Sequence, residues 1–245
     1  MKLHSSLHTD FNKKKELITK DGKIKFNNVK SGIDAKGKKK SSQKWLRRQV
    51  NDPFANAAKI EGYLARSAYK LLEIQSKYNI FYNKEMIIDL GCSPGSWSQV
   101  VLTNKNLHTK QIIGVDLLPI KFEHKNLHFI QGDFESKETQ KQIIEQLKIN
   151  SKKKQADCII CDIALNNIGN AEIDRIRSER IIEQVMQFCD KYLSKNGNFV
   201  CKALKGADNT VFNTMKQMFK NVYRFKPNSS RKDSSEIFLI CIDKL

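Results

Sequence analysis

Acidic residues stand at the ends of four apolar segments. Asp89, Asp116 and Asp162 close three of these segments, and Asp133 follows the fourth after a glycine. One such Asp is more often the N-cap of the next helix. Four on successive segments favour a ligand site, because the carboxyl ends of parallel strands meet at one edge of a sheet. Asp116 suits hydrogen bonds to a ribose diol, and Asp133 is placed to reach an adenine edge.

A glycine-containing string, Asp-Leu-Gly-Cys-Ser-Pro-Gly-Ser-Trp-Ser-Gln at residues 89–99, joins the first apolar segment to an amphipathic one. Gly91 and Gly95 let the backbone approach a ligand without a Cβ clash. Their spacing differs from the phosphate fingerprint of dinucleotide enzymes. We therefore favour a nucleoside ligand without phosphates over NAD, and we do not favour a nicotinamide dehydrogenase.

The elements that must position these residues alternate along the chain. We expect one or two short helices within 45–62. Apolar runs predict strands at 86–90, 111–115, 127–130, 157–161, 199–204, 221–225 and 236–242. Helical periodicity predicts helices at 64–78, from 96, and at 136–149, 172–193 and 208–220. We expect Lys195-Asn196-Gly197 to end the fourth of these helices. The alternation predicts an α/β fold with a mostly parallel seven-stranded sheet, and the two closing strands predict an antiparallel edge strand.

Positive charge is concentrated at the N-terminus. The chain of 245 residues has a net charge of +18, and residues 1–50 hold 15 basic and 4 acidic residues, a net charge of +11. We expect residues 1–43 to be a disordered basic arm and residues 44–245 to form one domain that begins with a helical segment, 44–80. Such charge favours a nucleic-acid partner, and a solvated Lys-rich surface is the alternative. The candidate phosphate contacts are the arm lysines, Arg47, Arg48, Arg66, Arg231 and Lys232.

The six cysteines lie among apolar residues without the spacing of a disulfide framework, which indicates a reducing compartment. Cys158 and Cys161 face opposite sides of a predicted strand, so we expect no metal site. No apolar run reaches transmembrane length, and the N-terminal residues lack the apolar stretch typical of a secretory signal. We expect a cytoplasmic protein without membrane contact. An organellar matrix is less favoured, because the Lys-rich N-terminus contains Asp10 and Glu16.

Seven motifs recur together along residues 44–245. They are Trp45-Leu46-Arg47-Arg48-Gln49, Arg66-Ser67-Ala68-Tyr69-Lys70-Leu71, residues 89–99, Asp116-Leu117-Leu118-Pro119, Gln131-Gly132-Asp133-Phe134, Phe199-Val200-Cys201-Lys202 and Ser229-Ser230-Arg231. In these motifs the chain resembles the FtsJ (RrmJ-type) family of ribosomal RNA large-subunit 2′-O-ribose methyltransferases. The resemblance implies a Rossmann-like methyltransferase fold, S-adenosylmethionine as methyl donor, and an RNA-binding role for residues 44–80.

By motif position the resemblance also implies site residues. The catalytic tetrad becomes Lys70, Asp162, Lys202 and Glu236. The donor contacts become Gly95, Trp97, Asp116, Asp133 and Asp162. The chain departs from the family at Leu165, where the family usually has proline, which removes a fixed φ beside the site. It also has Lys232-Asp233 in a stretch that is often more purely basic in the family.

The implied reaction is 2′-O-methylation of a uridine in large-subunit ribosomal RNA, by a monomer acting on RNA within the large subunit. Lys202 would either accept the hydroxyl proton or steer the hydroxyl as a charged donor. A methyltransferase of tRNA or of an mRNA cap is one alternative function. A non-catalytic RNA-binding module with a vestigial pocket is the other.

Overall fold

The computed structural model describes residues 52–107, 109–164, 168–231 and 233–245, and a helix separates most of the consecutive strands in them. The strands are β1 (Met86–Leu90), β2 (Gln111–Asp116), β3 (Leu127–Gln131), β4 (Ala156–Cys161), β5 (Leu193–Leu204), β6 (Phe219–Phe225) and β7 (Glu236–Lys244). The helices are α1 (Pro53–Ile60), α2 (Ala68–Tyr78), α3 (Ser96–Thr103), α4 (Lys137–Asn150), α5 (Ala171–Tyr192) and α6 (Asp208–Met218). The predicted basic arm, Trp45, Arg47, Arg48, Leu165 and Lys232 lie outside the described residues.

The strands form one sheet in the order β3-β2-β1-β4-β5-β7-β6. The pairs among β1 to β5 are parallel, and β7 is antiparallel to both β5 and β6. This confirms the predicted fold class. Both antiparallel pairings lie at one edge, where β7 is inside and β6 is outermost. Because the order reverses between β1 and β4, their carboxyl ends form the switch point at which such sheets bind ligands.

Helices cover both faces of the sheet. Every residue of β1 and of β4 is buried, as expected for parallel strands covered on two sides. One core forms between the sheet and α4, α5 and α6, and the other forms between the sheet and α1, α2 and α3. Cys158 lies in the second core and Cys161 in the first, so the two thiols do face opposite sides. In the described residues, no helix is long and apolar enough to span a membrane.

The predicted helix stop at 195–197 is wrong, and the helix predicted at 64–78 begins later, at Ala68. Helix α5 ends at Tyr192, and the chain enters β5 directly at Leu193. The N–H of Leu193 still bonds to the α5 backbone at the Cys189 carbonyl. Residues 195–197 therefore lie inside β5 and do not end the helix. They occupy a stretch where the register with β4 shifts and Asn196 takes a φ of 58°. The turn-forming residues Lys195-Asn196-Gly197 thus make β5 irregular at this point.

Candidate active site

The turn between β1 and α3 requires glycine at two positions. Gly91 has a φ of +73°, and a Cβ there would lie 2.7–2.9 Å from side-chain and backbone atoms of Ile163. Gly95 has a φ of +104°, and its Cβ would lie 2.6 Å from that of Phe122. A larger residue at Gly91 would force the turn away from the segment after β4, and one at Gly95 would force it away from the segment after β2. The turn is thus held directly beside Asp162, which precedes Ile163.

Asp116 ties the end of β2 to this turn. Its Oδ2 accepts a hydrogen bond from the N–H of Ser93 at 2.8 Å, and its Oδ1 accepts one from the N–H of Leu118 at 2.8 Å. Asp133, after β3, accepts a hydrogen bond from the N–H of Glu135 at 3.0 Å. Each carboxylate oxygen has a second lone pair. Both residues can therefore shape the local backbone and still accept hydrogen bonds from a ligand.

Trp97 lies in the predicted region, but its side chain does not face it. The indole is buried, donates a hydrogen bond to the carbonyl of Ser67 at 2.9 Å, and packs 5.8 Å from the ring of Phe238. Its indole therefore belongs to the contact between α2, α3 and the sheet. Trp97 lies in the first turn of α3, where a backbone N–H has no acceptor within the helix. That N–H is the group through which Trp97 can contact a ligand.

The four residues of the implied tetrad come together at the carboxyl end of the sheet. Lys70 Nζ lies 2.7 Å from Glu236 Oε1, and Lys202 Nζ lies 3.0 Å from Asp162 Oδ1. Lys202 also donates a hydrogen bond to the Asp162 carbonyl at 2.8 Å. All four side chains are mostly buried. The arrangement pairs each amine with one carboxylate.

The sheet register explains why the two pairs meet. Leu204 of β5 is opposite Glu236 of β7, and Lys202 is opposite Phe238. Cross-strand partners point to the same face, and positions two apart do as well, so Lys202 and Glu236 share a face. Lys70 approaches this face from α2, with its Nζ 5.6 Å from the centre of the Phe238 ring. Both amines therefore lie on one side of the sheet.

A cavity of about 150 Å³ opens beside the tetrad. Lys202 and Glu236 form one wall, α5 forms another, and the segment after β4 closes a third. Its lining consists of Ile163, Ala164, Ser178, Ile181, Lys202, Ala203, Leu204, Ser234 and Glu236. A cavity near this volume holds one six-membered ring. The amine of Lys202 is thus within reach of a small group bound there.

Glu236 is held in its charged form. Burial raises the pKa of its carboxyl, but the charge of Lys70 and its hydrogen bond, the charge of Lys202, and a hydrogen bond from Ser230 together lower it. Ser230 Oγ donates that bond to Glu236 Oε1 at 2.9 Å. The net pKa lies below the usual range for Glu. The carboxylate therefore stays available as a fixed negative charge.

Asp89 lies below the site and does not line it. Its side chain is fully buried and accepts a hydrogen bond from Ser98 Oγ at 2.7 Å. Burial raises the pKa of Asp89 to about 7; the Ser98 bond opposes this shift, and the charges of Asp162 and Asp116 add to it. The expectation that all four strand-end acids face a ligand therefore fails for Asp89, which titrates near neutrality inside the core.

The raised pKa of Asp89 predicts a pH effect on stability. Below about pH 4 the carboxyl is neutral in both states. Between about pH 4 and 7 it ionises in the unfolded chain but stays protonated in the folded one, so its contribution to stability is lost over this range, by at most about 4 kcal/mol. We expect Asp89→Asn to gain stability relative to the native chain between pH 5 and 8. Urea unfolding of both proteins at each pH measures this, and parallel pH profiles would contradict it.

Arg66 is engaged within the protein. Its guanidinium hydrogen-bonds to the carboxylate of Asp52 and to the carbonyl of Ser229. Arg231 lies 3.9 Å from the same carboxylate. Through these contacts Arg66, just before α2, links Asp52 to the loop between β6 and β7. Arg66, a candidate phosphate contact, is thus paired within the protein.

Sequence reasoning missed two residues of this region. Ser230 bonds to Glu236, and its place in the Ser-Ser-Arg motif was the signal that could have identified it. Glu73 accepts hydrogen bonds from the N–H groups of Asn228 and Ser229 at 2.7 and 2.8 Å. Its signal was weaker: a carboxylate three residues after Lys70 on a helix whose neighbouring positions are apolar.

A Rossmann-like sheet with a glycine turn, strand-end carboxylates and a Lys-Asp-Lys-Glu cluster defines a methyltransferase domain. The FtsJ-like methyltransferase profile matches residues 63–244. The chain belongs to the FtsJ-like methyltransferase family.

Curated relatives agree with this assignment. The chain is 42% identical over 226 residues to the ribosomal RNA large subunit methyltransferase E of Rickettsia bellii, covering 90% of this chain and 95% of the relative. It is 40% identical over 227 residues to the protein of the same name from Rickettsia peacockii, with the same coverage. A crystal structure of a ribosomal RNA methyltransferase from Plasmodium falciparum superposes with a TM-score of 0.65 at 31% identity, covering 75% of this chain and 99% of that one.

Proposed function

We propose that this protein transfers a methyl group from S-adenosylmethionine to a ribose 2′-hydroxyl, on a uridine of large-subunit ribosomal RNA. The observation that carries the proposal is the convergence of Lys70, Asp162, Lys202 and Glu236 beside the glycine turn. The name shared by the two Rickettsia relatives supports ribosomal RNA of the large subunit as substrate. We propose that the enzyme works as a monomer in the cytoplasm.

The residues at the strand ends fit the methyl donor. S-adenosylmethionine carries a sulfonium and an ammonium, and Asp116, Asp133 and Asp162 place negative charge around the switch point. Asp162 Oδ1 is buried and lies 3.0 Å from Lys202 Nζ, and the carboxylate lone pairs that this ion pair does not use remain open to a second cation. That buried oxygen suits the donor's amino group. Gly95 and the backbone N–H of Trp97 would contact the donor along the turn.

The donor supplies a methyl group on an electrophilic sulfonium, so positioning provides much of the acceleration. As the bond from the 2′-oxygen to the methyl carbon forms and the carbon–sulfur bond breaks, the hydroxyl must lose its proton. We assign that proton to Lys202, because this residue lines the cavity. Asp162 orients Lys202, and Glu236 holds Lys70 beside it. The cavity is large enough for a ribose or pyrimidine ring.

Phosphate contacts come from the basic part of the chain in this proposal. Residues 1–50 carry a net charge of +11, against +7 for the remaining residues. Neutralising phosphates with these side chains releases counterions and stabilises the RNA complex. The N-terminal region would thus supply much of the RNA affinity, and the tetrad would supply the chemistry.

The deciding experiment is a transfer assay with purified protein and labelled S-adenosylmethionine. Large ribosomal subunits, naked ribosomal RNA, tRNA and capped mRNA serve as acceptors. We expect label in the large-subunit RNA, at one linkage that resists alkaline hydrolysis because its 2′-oxygen is blocked. Label on a base, or on tRNA or cap alone, would contradict the assignment. Donor binding without transfer to any acceptor would identify a non-catalytic module.

A further inference from the structure

A buried carboxylate outside the tetrad anchors the loop that leads into β7. Glu73 on α2 is only 4% exposed. Its Oε2 accepts a hydrogen bond from the N–H of Asn228 at 2.7 Å, and its Oε1 accepts one from the N–H of Ser229 at 2.8 Å. Charge-assisted bonds of this length are among the stronger ones in proteins. The loop between β6 and β7 is therefore anchored to α2 through Asn228 and Ser229.

The anchored residues lie next to the group that contacts Glu236. Ser230 follows Ser229 and donates to Glu236 Oε1 at 2.9 Å. Lys70 Nζ lies 2.7 Å from the same oxygen. Lys70 and Glu73 are three positions apart, so they lie on one face of α2. One face of α2 therefore positions both groups that contact Glu236: it carries Lys70, and through Glu73 it holds the segment with Ser230.

We propose that Glu73 is a positioning residue for methyl transfer. Its carboxylate fixes residues 228–230 so that the Ser230 hydroxyl, together with Lys70, holds Glu236 in place beside Lys202. Glu73 does not line the cavity, and its two hydrogen bonds go to the loop, so it acts through Ser230. This inference rests on the proposed function.

A change of Glu73 to Gln removes one of the two acceptors. The amide oxygen can take one loop N–H, whereas the amide NH₂ is a donor and leaves the other N–H unpaired. Size and shape are otherwise kept. We therefore expect the segment carrying Ser230 to loosen while α2 itself stays in place.

The test is a double-mutant cycle on the full chain. Glu73→Gln and Ser230→Ala are each expected to lower kcat about tenfold, the effect of one charge-assisted hydrogen bond, with unchanged affinity for S-adenosylmethionine. Because Glu73 acts through the hydrogen bond from Ser230 to Glu236, which Ser230→Ala removes directly, the double variant should be no slower than Glu73→Gln alone. Effects that multiply in the double variant would overturn the proposal.

A pH profile gives a readout that general destabilisation would not move. Glu236 is faced by Lys70 from α2, by Lys202 from β5 and by Arg66 before α2, and it accepts the Ser230 bond. Without that bond the pKa of Glu236 rises. We expect the acid limb of kcat to move toward neutral pH in both variants, and an unmoved limb in Glu73→Gln would overturn the proposal.

Asp157→Asn is the matched control. Asp157 also accepts two backbone hydrogen bonds, from the N–H groups of Glu85 and Met86 at 3.1 Å each, at the opposite end of the sheet. We expect this control to lose stability without a change in kcat or in the acid limb. If Glu73→Gln does not fold, an unchanged kcat in Ser230→Ala overturns the proposal by itself. A native chain that transfers no methyl would refute the proposed function instead.

Discussion

Replacement of Lys202 by alanine is expected to lower methyl transfer by about two to four orders of magnitude, the range for loss of a general base. Lys202 lines the cavity and lies 3.0 Å from Asp162 Oδ1. Affinity for the donor should not fall, because Asp162 keeps its negative charge for a cationic ligand. Transfer of labelled methyl to ribosomal RNA measures the first effect, and calorimetric titration with S-adenosylmethionine measures the second.

Two further variants sharpen this experiment. Lys202→Arg keeps the charge but cannot give up a proton. Activity as low as that of the alanine variant identifies a base, and substantial activity identifies a charged donor. Lys244→Ala removes a similarly buried lysine that donates to the carbonyls of Cys189, Asp190 and Leu193, remote from the tetrad. Near-native transfer in Lys202→Ala would remove Lys202 from the mechanism.

Asp162→Asn is expected to lower both donor affinity and methyl transfer, because the Asp162 carboxylate serves both. The amide loses the charge that pairs with Lys202 and that would face the cationic donor. We expect donor affinity to fall about tenfold, as for one charge-assisted hydrogen bond, and transfer to fall at least about a hundredfold. Calorimetric titration and single-turnover transfer assays separate the two losses.

Asp157→Asn is the control for Asp162→Asn, because Asp157 lies on β4, the strand that Asp162 follows. Asp157 near the start of β4 is paired with Lys153 Nζ at 2.9 Å, whereas Asp162 directly follows the strand's other end. Asp157→Asn should leave donor affinity and transfer near their native values. If both variants lose activity equally, the effect reflects the stability of β4, and the assigned role of Asp162 is wrong.

Strand positions could be predicted from the sequence because the parallel strands are buried on both faces. Their apolar runs are nearly continuous, and Met86–Leu90 was predicted without error. The start of β5 was missed since its first residues include polar ones. Lys195 and Asn196 resemble a helix stop locally, whereas pairing of Leu193 with Ala156 draws the segment into the sheet. Tertiary pairing overrode local turn chemistry there.

The site was predictable only in part. Asp116 and Asp162 stand out because they end apolar runs. The association of Lys70 with Glu236 joins residues 166 positions apart, and only the resemblance to a family implied it. Glu73 and Ser229, also far apart in sequence, form a contact that no periodicity encodes. Trp97 was expected at the donor by motif position, and sequence could not show that its indole turns inward.

The buried cysteines provide an internal probe of opening in each core. All six thiols are buried, with Cys158 on the α2 and α3 side and Cys161, Cys189, Cys201 and Cys241 on the opposite side. Burial raises the pKa of Cys158, Cys189 and Cys241, so these thiols should resist alkylation until the surrounding structure opens. Peptide-resolved alkylation rates would therefore report which layer of helices separates first from the sheet.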